Sequence, residues 1–205
     1  MPEMTELKNT PQPKVGCEEF WFAPLLTDPS DGTPATYGPP VLVPGLTQFG
    51  FNPNAQTASF YADNGVFATA AQTGDLVLTV GLAQVTNEIR AKWFGQDYKA
   101  GLLEEGDINP IEMAVGAKTT FSDGSTAYAW YYKAKAAPPA ETVDTKGSSV
   151  SFQSDSITIT CSKLISNRKY RRVLIDSDAN LGPELTKEII AENWFTDPLW
   201  DMEVV

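Results

Sequence analysis

The sequence of 205 residues predicts an all-β protein, a β-sandwich or barrel with one or two short helices packed on its sheets. Two turn signals, Asn64-Gly65 and Asp123-Gly124, each separate runs of residues that favour strands. Between them, the run from Leu76 to Leu82 alternates aliphatic residues in the way typical of a core strand. We therefore expect one main domain, residues 15–195, with arms at residues 1–14 and 196–205.

The start of the chain predicts an extended arm followed by a strand. Residues 1–14 are polar and contain three prolines, so they have no core to join. Residues 15–26 follow as the first strand. Six prolines between Pro24 and Pro44 allow loops and edge strands but no central strand, and a short edge strand is expected at 41–43.

A hairpin is predicted over residues 56–72, in a register that sets Asp63 against Val66 and Phe60 against Thr69. Its other residues are mostly small and bury little area, so the hairpin is loosely specified alone and more stable against a partner. Long, flat strands of this kind invite contact with another chain. We expect it to contact a neighbouring subunit, the alternative being an ordinary surface hairpin; the candidate contact residues are Phe60, Tyr61, Asp63 and Phe67.

The next segment predicts a short helix and a strand. Val85, Ile89 and Trp93 recur every four residues and Gly95 follows them, which predicts a helix over 85–94 with one apolar stripe. A strand is expected at 97–103.

Residues 110–136 predict one long hairpin of two strands, 110–121 and 126–136. With Asp123-Gly124 as a two-residue turn, Phe121 pairs with Thr126 and Met113 with Ala134. This register gives one largely apolar face and one smaller, more polar face. The apolar face requires a second layer, and the polar face is left accessible.

The last third predicts two strands and a helix. Strands are expected at 148–162, where Ile157, Ile159 and Cys161 alternate with polar residues, and at 170–176. Pro183 at a first helical position predicts a helix over 183–195.

Composition restricts the function. The net charge of −11 argues against a grip on nucleic-acid phosphates, and the absence of histidine removes imidazole metal sites and histidine-based catalytic triads. Residues 176–182 resemble the start of a calcium loop, but Lys187 stands where a closing glutamate belongs, so a turn that caps the final helix is expected. The sequence predicts no enzyme, no cofactor and no metal. Cys17 and Cys161 are expected to be core thiols rather than a disulfide.

Several segments, taken in order, resemble the major tail protein family of long-tailed, non-contractile phages that infect Gram-positive bacteria. The similarity spans about residues 15–196. Besides the 110–136 hairpin, the segments that carry it are Tyr61–Gly65, Gly74–Leu82, Trp93–Gly95, Glu141–Gly147, Ser151–Gln153 and Asn193–Phe195.

The resemblance implies a phage tail-tube fold, in which a β-sandwich flanked by a helix closes into hexameric rings that stack into a hollow tube. It implies a virion protein, assembled in the host bacterial cytoplasm, that meets the tape measure, tail terminator and distal tail proteins. We expect a soluble protein with no membrane partner, since no apolar run approaches the roughly 20 residues that span a bilayer. Acidic subunits would let double-stranded DNA pass through the tube without sticking.

Charged clusters supply further candidates. The acidic residues Glu104, Glu105 and Asp107, and a second group at Asp197, Asp201 and Glu203, either face the tube lumen or solvate loops. Arg168, Arg171 and Arg172 either pair with acidic residues of a neighbouring subunit or begin an exposed strand. Trp200 is a candidate apolar anchor of the C-terminal arm on a neighbour.

The main alternative is a carbohydrate-binding β-sandwich module of a phage host-recognition or decoration protein. Tyr128, Trp130 and Tyr132 would then stack on sugar rings. They share one hairpin face with Met113 and Val115, however, which favours core packing. A hydrolase that uses paired carboxylates is disfavoured because no surrounding motif marks a pair.

Overall fold

The computed structural model describes residues 8–139, 145 and 153–202. Strands make up 48% of the described residues and helices 8%, so the all-β prediction with two short helices is confirmed. The elements are β1 (Lys14–Thr27), β2 (Thr36–Tyr37), β3 (Val41–Val43), β4 (Leu46–Asn52), β5 (Ala55–Ala62), β6 (Gly65–Thr73), β7 (Leu76–Leu82), α1 (Asn87–Phe94), β8 (Asp97–Lys99), β9 (Leu102–Glu104), β10 (Met113–Phe121), β11 (Thr126–Ala136), β12 (Asp155–Ser162), β13 (Arg171–Ile175) and α2 (Lys187–Asn193).

One antiparallel sheet carries most of the strands, in the order β2-β1-β10-β11-β12-β7-β4. Strand β3 pairs with β1, and β11 divides one of its edges between two partners. Residues 127–131 of β11 pair with β13, whereas residues 133–136 pair with β12. The sheet curls until β4 approaches β1, where the rings of Phe20 and Phe49 lie 6.4 Å apart, although no ladder joins β4 to β1 among the described strands.

The main core lies inside this curled sheet. Helix α1 closes one side of it, because Trp93 makes edge contacts with Phe20 and Phe22 at centroid distances of 6.1 and 5.5 Å. The side chain of Thr86 caps the start of the helix, and Gly95 ends it with a φ of 63°. The predicted helix over 85–94 is therefore confirmed except for its first two residues.

A second core lies on the outer face of the sheet, under α2. The indole N–H of Trp130 donates to the backbone carbonyl of Trp194 at 2.9 Å, and Phe195 stacks on Trp21 with ring centroids 5.3 Å apart. Thr186 caps α2. Because the helix begins after Thr186, the prediction that it starts at Pro183 was wrong.

The long hairpin was predicted with the wrong register. Met113 does pair with Ala134, but Thr120 rather than Phe121 pairs with Thr126, and a bulge beyond Met113 absorbs the difference. The turn is longer than two residues because the Asp123 carboxylate accepts from the N–H and hydroxyl of Ser125 at 2.9 and 2.6 Å. The predicted division of the faces was also wrong, because Met113 and Val115 lie in the main core whereas Tyr128 and Trp130 lie in the core under α2.

Other predicted element boundaries also differ from those in the structure. The segment predicted as one strand at 97–103 is a small hairpin, β8 and β9, which turns at Ala100-Gly101. The turn between β5 and β6 is Asp63-Asn64 rather than Asn64-Gly65, so Tyr61 pairs with Val66. The edge strand at 41–43, the core strand 76–82 and the strand at 126–136 are confirmed. Strand β4 was missed.

Parts of several predictions lie outside the described residues. These are residues 1–7 of the N-terminal arm, 203–205 of the C-terminal arm with Glu203, the start of the strand predicted at 148–162, and most of the Glu141–Gly147 and Ser151–Gln153 segments. Cys17 and Cys161 are free thiols, and Cys161 is buried, as expected of a core residue. The described residues contain no helix that is long and apolar enough to cross a membrane.

Candidate self-association surfaces

Strands β5 and β6 form a hairpin that extends beyond the body. Its legs continue β4 and lead into β7, and they pair with no other described strand. At the joint, Asn54 has a φ of 44° and its side-chain amide donates to the carbonyl of Asp75 at 2.8 Å. The N–H of Gly74 donates to the carbonyl of Asn54 at 3.1 Å. These bonds hold the hairpin to the body as a continuation of the β4–β7 ribbon.

The tip of this hairpin exposes large apolar side chains. Their exposed fractions are 64% for Phe60, 68% for Tyr61, 58% for Val66 and 73% for Phe67. The rings of Phe60 and Phe67 meet edge to face at 6.2 Å. The structure thus brings together three of the predicted contact residues, with Asp63 in the turn beside them at a φ of 49°. Contiguous apolar exposure of this kind is typical of an interaction site.

A groove of about 700 Å³ opens between β4 and β13, and we call it the β4/β13 groove. Each of these two strands is paired along one edge only among the described strands. The groove is lined mostly by apolar and small residues: Lys14, Val15, Gly16, Cys17, Thr47, Gln48, Phe49, Phe51, Thr119, Phe121, Ala127, Ala129, Tyr131, Arg171, Val173 and Ile175.

Arg171 is the cation inside this groove. Its guanidinium lies 4.1 Å from the ring centre of Phe51 and donates to the Tyr131 hydroxyl at 3.2 Å. Burial raises the pKa of Tyr131 while Arg171 opposes that rise. The arginine is thus held in place by an aromatic ring and a hydroxyl, with no carboxylate bridged to it among the described ion pairs.

Comparison of the sequence with protein-family models and with curated proteins finds no match.

The predicted basic run does not act as one cluster. Arg168 lies exposed in a turn with a φ of 55°. Arg172 instead packs inside the molecule, where its guanidinium lies 4.4 Å from the Trp194 ring centre and donates to the carbonyl of Trp200 at 2.7 Å. Burial lowers the pKa of Arg172, and Asp197 and Asp201 are among the groups that oppose this effect.

Trp200 is part of the second core rather than a free anchor. It is half-buried and packs against the cluster that contains Trp130 and Trp194. In this structure the described part of the C-terminal arm therefore packs against its own chain. Contact of Trp200 and Arg172 with a neighbouring subunit, as expected from the sequence, requires this packing to open.

The acidic candidates Glu104, Glu105 and Asp107 all lie exposed at the end of β9 and in the loop after it. Glu105 lies 3.7 Å from Arg90 of α1. All three carboxylates are neighbours in sequence and exposed, and whether they face a lumen stays a prediction.

The calcium-like segment forms turns. The Asp176 carboxylate accepts from the N–H of Thr126 at 3.0 Å and lies 3.7 Å from the Lys187 ammonium. The described residues contain no group of three or more acidic or cysteine side chains placed to hold a metal ion. Tyr128, Trp130 and Tyr132 are at most 4% exposed, so their faces cannot stack on a sugar.

Sequence reasoning missed the groove because it missed β4. The signal was weak but present, since Phe49 and Phe51 are spaced two apart directly before the predicted hairpin. Residues from five strands line the groove, and only the paired sheet brings them together.

Proposed function

We propose that this chain is a virion structural protein, the major subunit of a phage tail tube. Copies assemble into hexameric rings that stack into the conduit for DNA ejection. The observation that carries the proposal is the β5–β6 hairpin, which extends from the body and exposes four large apolar side chains at its tip. The sequence resemblance to tail-tube subunits supports the same conclusion independently.

The exposed tip supplies a driving force for association. Complete burial of an aliphatic or aromatic side chain contributes about 1.5–3 kcal/mol. Phe60, Tyr61, Val66 and Phe67 are each more than half exposed, so covering them with a second copy would contribute several kcal/mol in total. Because a ring repeats every contact, such modest interfaces add up around it.

Charge supports the role of a conduit. Each copy carries a net charge of −11, and a ring of such copies repels the phosphates of DNA. Binding to DNA gains affinity mainly where protein cations displace counterions from the duplex, so a wall with a net negative charge gains little from binding it. The exposed loop with Glu104, Glu105 and Asp107 is the candidate lumen surface in this proposal.

The chain would act without chemistry of its own. Its partners are further copies of itself and the tape measure, tail terminator and distal tail proteins, met in the cytoplasm of the host bacterium. The alternative of a carbohydrate-binding module loses its best support because Tyr128, Trp130 and Tyr132 are buried.

Concentrating the purified chain and examining it by negative-stain microscopy and sedimentation velocity tests the proposal. We expect six-fold rings or hollow tubes from the wild type, and their loss in the double variant Phe60→Ser, Phe67→Ser. Leu26→Ser is the matched control, since Leu26 is 64% exposed on β1, away from the hairpin. A chain that stays monomeric at high concentration, or that binds glycans on an array, would overturn the proposal.

A further inference from the structure

We infer that the β4/β13 groove is the receptor for the β5–β6 tip of a second copy of this chain. The inference deepens the proposed function, on which it rests for the identity of the partner. It adds a donor surface, an acceptor surface and the charge pair that matches them.

The donor is an apolar tip with one carboxylate. Residues 55–73 contain a single charged residue, Asp63, which lies in the turn between β5 and β6. The exposed rings of Phe60, Tyr61 and Phe67 lie next to it in sequence and register. A surface that receives this tip must offer apolar contacts and a cation.

The acceptor has this composition. Among its described lining residues, Lys14 and Arg171 alone are charged, and both are cations. The remainder is mainly aliphatic, aromatic or small. Arg171 is already oriented by Phe51 and Tyr131, so it can bind a carboxylate without first losing much side-chain freedom.

The strand edges around the groove fit a hairpin as well. Both β4 and β13 leave one edge without a described strand partner, so each can accept main-chain hydrogen bonds from an added strand. A groove of about 700 Å³ has room for several aromatic side chains, since it lies in the range that holds a drug-sized ligand.

The tip of the same copy cannot fill the groove. The eight residues of β5 carry the tip about 27 Å beyond Asn54 along the ribbon, at about 3.4 Å per residue. Bending it back would break the hydrogen bonds at the Asn54 and Gly74 joint. The contact is therefore between two copies, and because donor and acceptor differ, it repeats head to tail.

Charge explains why this pairing is selective. Two copies of net charge −11 repel each other at most orientations. The encounter that places Asp63 between Lys14 and Arg171 replaces repulsion with attraction, which favours one orientation over others.

Charge reversal on each side, with mutual rescue, tests the inference. Asp63→Lys changes the tip, and Arg171→Glu changes the groove; Lys14→Glu is a second groove variant that leaves the Phe51 contact intact. Glu184→Lys and Lys99→Glu are matched controls, since both residues are exposed and neither lines the groove nor belongs to the hairpin. Thermal melts and circular dichroism establish that each variant is folded.

Sedimentation velocity on the full-length chains at one fixed ionic strength is the readout. Each charge reversal alone should weaken association about tenfold or more, because it places like charges together. A mixture of Asp63→Lys and Arg171→Glu chains should regain it, since every tip then has a groove of opposite charge. The controls should match the wild type.

The outcomes separate the inference from the proposed function. Tubes that form equally well from all variants, or single variants that fail without rescue in the mixture, overturn the groove as receptor while the tube proposal stands. If association of the wild type and the variants shows the predicted charge dependence but no rings form, the groove is supported as receptor and the tube proposal is overturned. A wild type that stays monomeric overturns both.

Discussion

Gly116 on β10 gives the sharpest test of how α2 packs on the sheet. A Cβ atom built at this position lies 2.9 Å from the carbonyl oxygen of Ala129, from Cε1 of Phe195 and from Cε3 of Trp130. Carbon contacts are optimal at about 3.5–4.0 Å, so a methyl group must push these neighbours apart by more than about half an ångström. Neither ring moves freely, because Trp130 donates to Trp194 and Phe195 stacks on Trp21.

Gly116→Ala should therefore destabilise the fold. Overpacking of a buried site costs about 1–3 kcal/mol, and the reduced freedom of the unfolded chain offsets about 0.4–1 kcal/mol of this. The expected net loss in the free energy of unfolding is about 1–2 kcal/mol, which lowers the melting temperature by roughly 2–8 °C in a chain of this size.

Gly16→Ala is the matched control, because a Cβ at that position meets nothing within 4 Å. Gly16 lies in β1 and pairs with β10, so both substitutions add one methyl group to the same pair of strands. The control should be neutral or more stable by up to about 1 kcal/mol. Urea unfolding followed by tryptophan fluorescence measures both, and equal stability of the two variants would refute the close packing of Phe195 on β10.

Three further predictions follow from side-chain contacts. Burial raises the pKa of Asp28, but hydrogen bonds from Ile165, Lys133 and Ser166 outweigh this and hold it below its ordinary value; Asp28→Asn should therefore be less stable by about 1–3 kcal/mol at pH 7. A lowered folded-state pKa stabilises the fold only above the unfolded-state pKa of about 4, so urea titrations should show the stability difference between wild type and Asp28→Asn disappear as the pH falls below that value. A stability difference that does not depend on pH would contradict the assignment. Thr86→Ala removes the cap of α1 and should cost about 0.5–2 kcal/mol in thermal unfolding, whereas Thr10→Ala, in the arm, should cost nothing measurable. Burial raises the pKa of Cys161 to about 12, so an aromatic disulfide reagent should label half-buried Cys17 first, and rapid labelling of two thiols per native chain would show that Cys161 is not in the core.

The sequence predicted elements well where one local signal decides them. Leu76–Leu82 alternates so regularly that β7 is correct at both ends, and Gly95 marked the end of α1. The Asp123-Gly124 signal located a turn but not its length, because the side chain of Asp123 bonds to Ser125 and widens the loop. One added turn residue then shifted most of the predicted register.

Long-range packing set the limit for the rest. The prediction placed Trp130 on one face with Met113 and Val115, but Trp194 and Phe195, more than sixty residues later, cover it in a second core. The basic run divides because Arg171 and Arg172 point to opposite faces of β13, one toward Phe51 and one toward Trp194. Of the candidate surface, the exposed hairpin was predictable from its composition, whereas the groove required the paired sheet.

The continuity of the hairpin legs with β4 and β7 has a mechanical consequence. Ladder hydrogen bonds in antiparallel sheets run across the strands, so a pull on the tip along the ribbon axis loads the bonds between β7 and β12 in shear, many at once. A hairpin attached by a slack loop would instead peel away one bond at a time. Tension applied at the tip is therefore carried directly into the strands that hold the main core together.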